Sequence, residues 1–190
     1  MTPKQKDLKL SDEQIAILVC QGQTNLFSQL IKRYQDKLKR YAHYLVFNEN
    51  YLDDVVQNTF IKAFTKLATF NSQQTFSSWI YRIVHNEAIN LLRRERKHLQ
   101  TNIQLSLDLA AKIDINKNYE EKEQQELVSQ ALLKLPNNYK DPLILFYLEE
   151  KSYREISDIL HLSQNNVGLR INRGKKTLKK ILEKEGINHE

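Results

Sequence analysis

Apolar residues recur three and four positions apart through most of this chain, the spacing that lines one face of an α-helix. After a polar tail over residues 1–9, Ser11 and Gln14 read as a capping box. It opens a short helix carrying Ile15, Leu18 and Val19, which Gly22 ends. A long helix follows, with Phe27, Leu30, Ile31, Tyr34, Leu38, Tyr41, Ala42 and Leu45 on one stripe, and Asn48 to Asn50 form a turn. The next helix is expected to bury Leu52, Val55, Val56, Phe60, Ala63, Phe64 and Leu67 and to show Asp53, Asp54, Gln57 and Asn58 outward. A polar run, Phe70 to Thr75 (FNSQQT), separates it from a further helix holding Phe76, Trp79, Ile80, Ile83, Val84, Leu91 and Leu92. That helix ends in Arg93, Arg94, Arg96 and Lys97. Four such helices can close one core of about ninety residues.

From His98 to about Glu123 the periodicity fades and Asn, Asp, Lys and Gln dominate. This reads as a partly disordered linker with a short helical piece at Leu105 to Ile113, so the domains on either side are expected to tumble independently. The second domain opens with a helix that stops at Leu135–Pro136, because the residue before proline leaves the α region. Tyr139 to Glu149 is the next helix, with Pro142 in a first turn whose N–H groups lack partners anyway. Ser152 and Glu155 then form a second capping box, ahead of Tyr153, Ile156, Ile159 and Leu160 on one face. His161 and Leu162 break the chain, and Ser163 caps a last helix whose Val167, Ile171 and Leu178 point inward. Two helices joined this tightly form a helix-turn-helix, which lays its second helix in a DNA major groove.

Charge strengthens that reading. The chain carries 29 Lys and Arg against 23 Asp and Glu, a net of +6, which favours a polyanionic partner. From Gln164 to Lys180 there are six Lys or Arg and no Asp or Glu. Phosphate neutralisation requires a surface of this kind. With four Gly and three Pro in 190 residues the chain is poor in tight turns, as suits an all-α protein. Cys20 is the sole cysteine, which rules out an internal disulfide and any cysteine-based zinc site and fits a reducing cytoplasm. No apolar run reaches the length of a membrane span.

Catalytic signatures are missing. The five histidines (43, 85, 98, 161 and 189) include no pair at metal-ligand spacing on a helix. His85-Asn86-Glu87 has the HxE of zinc deaminases without the PCxxC that must accompany it, so His85 reads as an ordinary helix residue. There is no phosphate-binding or dinucleotide-binding glycine motif. Asp53 and Asp54 are adjacent on a helix and diverge, so they cannot share a proton or a metal. No catalytic residue, metal or cofactor is expected.

Three segments, in order, carry a family resemblance. Asn50 to Phe64 (NYLDDVVQNTFIKAF), Phe70 to Arg96 (FNSQQTFSSWIYRIVHNEAINLLRRER) and Ala131 to Leu182 follow the pattern of the extracytoplasmic-function type of sigma factor in the sigma-70 family. The chain resembles this family from about residue 20 to 182. The resemblance implies a factor that binds core RNA polymerase and directs promoter-specific initiation. Its promoter DNA would be double-stranded at the −35 element and melted at the −10 element, and an anti-sigma protein would commonly hold such a factor inactive. It implies neither membrane insertion nor a small-molecule substrate. The expected architecture is all-α: a tail (1–9), an N-terminal polymerase-binding and −10 domain (10–97), a flexible linker (98–123) and a C-terminal helix-turn-helix domain (124–188).

By the same resemblance, Asp53, Asp54, Gln57, Asn58 and Phe60 would dock on the polymerase, although the apolar stripe favours the core for Phe60. Asn71, Ser72, Gln73 and Gln74 would capture a base of the non-template strand, and Arg82, Arg93, Arg94 and Arg96 would hold its phosphates. Trp79 reads as core. Asn165, Asn166, Leu169 and Arg170 would face base edges, while Arg173, Lys175 and Lys176 would grip phosphates. Gly168 and Gly174 depart from the family, which often has a basic residue and an alanine there. Each glycine is expected to loosen the reading helix by about 1 kcal/mol relative to Ala. Two other functions account for less of the chain. A free-standing operator-binding regulator would leave residues 50–96 unused, and a site-specific recombinase would need a nucleophile cluster that cannot be assembled from these residues.

Overall fold

The computed structural model describes residues 10–46, 49–101, 128 and 130–184, and every long regular element among them is an α-helix. The 1–9 tail, Asn48 and the 105–113 segment lie outside the described residues.

In the first domain, α1 (Asp12–Cys20) starts at a complete capping box: Gln14 N–H donates to Ser11 Oγ, and the Gln14 side chain accepts from Ser11 N–H. Gly22, at φ 103°, turns the chain after it, a conformation that favours glycine. α2 (Phe27–Leu45), α3 (Leu52–Thr65) and α4 (Phe76–Thr101) pack on one another, and α1 lies against α2 and α4. Their apolar stripes meet at Leu30, Leu38, Tyr41, Leu45, Phe76, Ile80, Tyr81 and Val84, all buried. Buried polar side chains of this domain are paired, as burial away from water requires. Thr59 Oγ1 donates to Val55 O at 2.7 Å, and the Tyr34 hydroxyl donates to Asp12 at 2.5 Å.

The second domain stacks α5 (Asn137–Tyr147), α6 (Tyr153–Leu160) and α7 (Gln164–Lys184) around Leu143, Ile144, Leu145, Ile156, Ile159, Val167 and Ile171.

Four expectations are corrected. α4 continues to Thr101, past the arginine cluster. α5 begins at Asn137 and ends at Tyr147, so Pro142 sits in its second turn; burial of its ring offsets the missing hydrogen bond. Phe64 is 43% exposed rather than core. The domains also touch: α6 packs on α4 and α5 on α2, and the buried side chains of both form one continuous cluster. Independent tumbling is not the arrangement seen.

Candidate nucleic-acid interface

The second domain builds a complete helix-turn-helix from local chemistry. Ser152 caps α6 through a box with Glu155, whose carboxylate also accepts from the Ser152 amide at 3.0 Å. The helix ends with His161 in the left-handed region, at φ 53°, an uncommon conformation for a non-glycine residue. Ser157 holds the turn closed by donating its hydroxyl to Leu162 O. Ser163 then caps α7, accepting from Asn166 N–H at 3.3 Å.

This leaves one face of α7 for a partner. Asn165, Asn166, Arg173 and Lys176 are exposed there and Leu169 is 52% exposed, an apolar side chain left out of the core at an expected reading position, whereas Lys175 is exposed on another face, its Nζ 5.7 Å from the centre of the Tyr147 ring. Arg170 departs from the group: it is half-buried, and its charge acts on the buried Asp141 carboxylate. Gly174 is buried against Leu143 and Tyr139, and Gly168 lies beneath the Tyr153 ring. The first is therefore a packing glycine rather than a loosening one.

In the first domain, the polar run folds as a turn on an aromatic floor. Asn71 Oδ1 accepts from Gln73 N–H at 3.0 Å and Asn71 O from Gln74 N–H at 3.0 Å. Thr75 Oγ1 accepts from Ser78 N–H at 3.1 Å and so holds the first turn of α4. Beneath the turn, Phe70 lies 5.7 Å from Phe76 and 5.5 Å from Trp79 between ring centroids. Trp79 is buried, as its place on the apolar stripe predicts. Asn71, Ser72 and Gln73 project from this floor into solvent and Gln74 is half-buried.

Arg93, Arg94 and Arg96 are exposed, but helix geometry keeps them from the turn. Seventeen residues separate Phe76 from Arg93, about 25 Å of rise. Arg82, half-buried, lies between. A single strand would have to run along α4 to meet both ends.

The acidic pair diverges as its adjacency requires. Asp53 lines a groove of about 680 Å³ between α2 and α3, and Asp54 lines a separate cleft between α3 and α4 with Asn58 and Arg94. Asp53 also pairs with Lys39 at 2.7 Å. The groove is apolar: Phe27, Ile31 and Phe60 form its wall, with Ile61 and Phe64 standing exposed beside Gln57. Phe60 is buried with its ring 6.5 Å from Phe27, so it supports the groove from the core. Ile61 and Phe64 were not among the expected site residues. The signal was their spacing, since 57, 61 and 64 share one helix face.

Where the domains meet, titratable groups are buried. His85 Nδ1 lies 2.9 Å from the Tyr41 hydroxyl and its Nε2 3.9 Å from Asp141. Burial pushes the Asp141 carboxyl up to about 6, and one of its oxygens has no hydrogen-bond partner. Burial, with Lys140 nearby, holds the His85 imidazole down to about 4.

Comparison with known proteins bears on both domains. The family model for Sigma-70 region 2 matches residues 30–98, and that for Sigma-70, region 4 matches residues 125–178. The chain is 32% identical to RNA polymerase sigma factor YlaC of Bacillus subtilis over 167 residues, covering 84% of this chain and 91% of that one. It is 28% identical to the ECF RNA polymerase sigma factor SigW of the same organism over 173 residues, 86% of this chain and 92% of the relative. Among solved structures it resembles CnrH in complex with the cytosolic domain of CnrY, with a TM-score of 0.68 at 25% identity, over 89% of this chain and 95% of that one. It shares the fold of the sigma factor RpoE of Bartonella quintana, solved with the anti-sigma factor NepR (TM-score 0.71, 20% identity, 83% of this chain and 96% of that one). Among the described residues no helix is long and apolar enough to cross a membrane.

Proposed function

The chain belongs to the sigma-70 family of RNA polymerase sigma factors, of the extracytoplasmic-function type, and on that premise we propose how its surfaces divide the work of initiation. The protein binds core RNA polymerase and directs it to promoters. The groove between α2 and α3, with Ile61 and Phe64 on its lip and Asp53 and Gln57 at its edge, receives the polymerase. Asp54 and Asn58 extend that surface around α3. Phe60 contributes by holding the groove's shape.

The turn Asn71–Gln74 takes a base flipped from the melted non-template strand. Unstacking a base costs a few kcal/mol, and short amide and hydroxyl side chains that pair with its edge offset this. Arg82, Arg93, Arg94 and Arg96 hold the same strand's backbone along α4. In the duplex upstream, Asn165, Asn166 and Arg170 approach base edges, Leu169 packs on a thymine methyl, and Arg173, Lys175 and Lys176 bind phosphates. Such a protein works in the cytoplasm and has no catalysis of its own. As with the Bartonella quintana relative, an anti-sigma factor is an expected partner.

The observation that carries this reading is the pairing of surfaces in one chain. An exposed basic reading helix stands in one domain, and a polar turn on an aromatic floor, leading to an arginine-ended helix, stands in the other. An operator-binding regulator uses the first and has no role for the second. Run-off transcription on a genomic promoter library tests it: core polymerase plus this protein should give specific start sites absent with core alone. No such sites would sink the reading. Within the same assay, Ile61→Asp should weaken core binding about tenfold, since its exposed side chain would place a charge in an apolar contact. Unchanged affinity would move the polymerase surface elsewhere.

A further inference from the structure

Helix α1 belongs to none of the surfaces assigned above, yet its first turn reaches the foot of the Asn71–Gln74 turn along two routes. The capping box at Ser11 fixes that first turn, and Asp12 and Glu13, adjacent in it, point about 100° apart. Asp12 turns to α2, accepting from Arg33 Nη1 and from the Tyr34 hydroxyl, each at 2.5 Å. The Tyr34 ring then meets the Phe76 ring edge-on, with centroids 5.4 Å apart. Glu13 turns to α4, and its Oε1 accepts from the Phe76 backbone N–H at 2.9 Å. Both routes converge on Phe76, which is fully buried and two residues beyond Gln74.

We propose that Glu13 is a positioning residue for promoter reading: by holding the Phe76 amide, it keeps the Asn71–Gln74 turn in the pose that takes a base. The proposal rests on the sigma-factor reading given above, and within it on the role given to that turn.

The turn does not set its own pose. Its bonds are short-range, from Gln73 and Gln74 to Asn71 and from Ser78 to Thr75. They close the loop without fixing which way it faces. Asn71, Ser72, Gln73 and Thr75 are exposed, so packing does not hold their side chains. A base edge is read only where donors and acceptors meet it at hydrogen-bond distance and angle. The pose is therefore imposed from the ends of the turn.

At the first end, the Phe70 ring packs on Phe76 and Trp79. At the second, the Phe76 amide is one of the four at the start of α4 that lack a partner within the helix. Thr75 satisfies the Ser78 amide, and Glu13, 63 positions away, satisfies that of Phe76. A carboxylate suits the place, as a charge-assisted acceptor at the positive end of a helix.

For DNA the same charge is a disadvantage. Glu13 lines a cleft of about 510 Å³ with Ser72, Gln73 and Gln74, which α6 faces with Arg154, Glu155 and Asp158. A strand reaching the turn brings phosphates toward the Glu13 carboxylate, which weakens binding. The fixed amide is what Glu13 gives in return.

Base preference tests this in the holoenzyme, full-length protein with core polymerase, on a promoter that run-off transcription yields. Each −10 position is changed to every other base and the initiation rate measured. Glu13→Ala should cut preference about fivefold or more at one −10 position, the same one that Gln73→Ala affects, and leave preference at the −35 element unchanged. Glu13→Gln keeps an acceptor oxygen for the amide and should stay within about twofold of wild type. Tyr34→Phe removes the hydroxyl bonded to Asp12 but keeps the ring on Phe76, and should also stay within about twofold, which separates positioning from a general loss of stability. Full preference in Glu13→Ala, a loss at positions that Gln73→Ala leaves alone, or an equal loss in Glu13→Gln or Tyr34→Phe would each overturn the proposal. So would a preference moved to another base by Glu13→Gln, since Glu13 would then read the base itself. Wild type without specific start sites would instead sink the sigma-factor reading, so the two failures are told apart.

Discussion

One substitution, made twice in the same helix, should have opposite effects. A Cβ added at Gly174 would sit 2.8 Å from Leu143 Cδ1, 3.1 Å from Leu143 Cγ and 3.3 Å from Tyr139 Cβ. Leu143 is buried, and its Cγ as well as its terminal Cδ1 would have to shift to admit the methyl. Overpacking of this kind costs about 1–3 kcal/mol. Alanine's better helix propensity returns about 1 kcal/mol, so Gly174→Ala should destabilise the chain by about 1 kcal/mol net. At Gly168 the same Cβ meets only the Tyr153 ring, at 3.3 Å. That ring is 37% exposed and can swing into solvent. Gly168→Ala should therefore gain about 0.5–1 kcal/mol. Urea unfolding of each full-length variant, followed by far-ultraviolet circular dichroism, measures both. The two should differ by about 2 kcal/mol, roughly a thirtyfold change in the folding equilibrium. A Gly174→Ala protein as stable as wild type, or a Gly168→Ala protein less stable, would refute the packing argument.

Two further outcomes are expected. At pH 7 the Asp141 carboxylate is ionised at a burial cost; the gap between its ordinary 3.8 and about 6 corresponds to about 3 kcal/mol. That cost is present above pH 6 and disappears as pH falls to 3.8, whereas His85, held down to about 4, loses stability as pH falls from 6.5. The two oppose each other, so Asp141→Asn should be more stable than wild type at pH 7 by up to about 3 kcal/mol, with the advantage shrinking toward pH 4; urea unfolding at both pH values would expose an equal or weaker variant at pH 7 and end the argument. On promoter DNA, Arg173→Ala should weaken binding of the polymerase complex similarly across sequences and reduce the slope of log K against log salt by about 1, while a loss confined to one base position would make Arg173 a base reader.

Local chemistry was legible in the sequence and distant pairing was not. The capping boxes at Ser11 and Ser152 and the cap at Ser163 depend on residues three apart, and all three form. The apolar stripes placed Trp79, Val167 and Ile171 in the core for the same reason. Phe64 lies on its helix's apolar stripe, but the groove beside α2 leaves its ring uncovered, a fact that only the partner helix decides. Glu149 looked like an ordinary charged residue at a helix end. What buries it is an arginine 109 positions away and a tyrosine 68 away, on helices whose approach no periodicity reports. Gly174 likewise looked like a weakness in its own helix until Leu143 was seen against it.

The unbroken run of α4 from Phe76 to Thr101 makes that helix a ruler. The turn proposed to take a base stands at one end and the arginines about 25 Å along, and each added residue would lengthen the interval by 1.5 Å while rotating the far end by 100°. One extra residue would turn the arginines away from the strand; four would bring them nearly back into phase, about 6 Å further on. On the proposed path, the length of single strand held is written in helical phase, and loop variation cannot alter it.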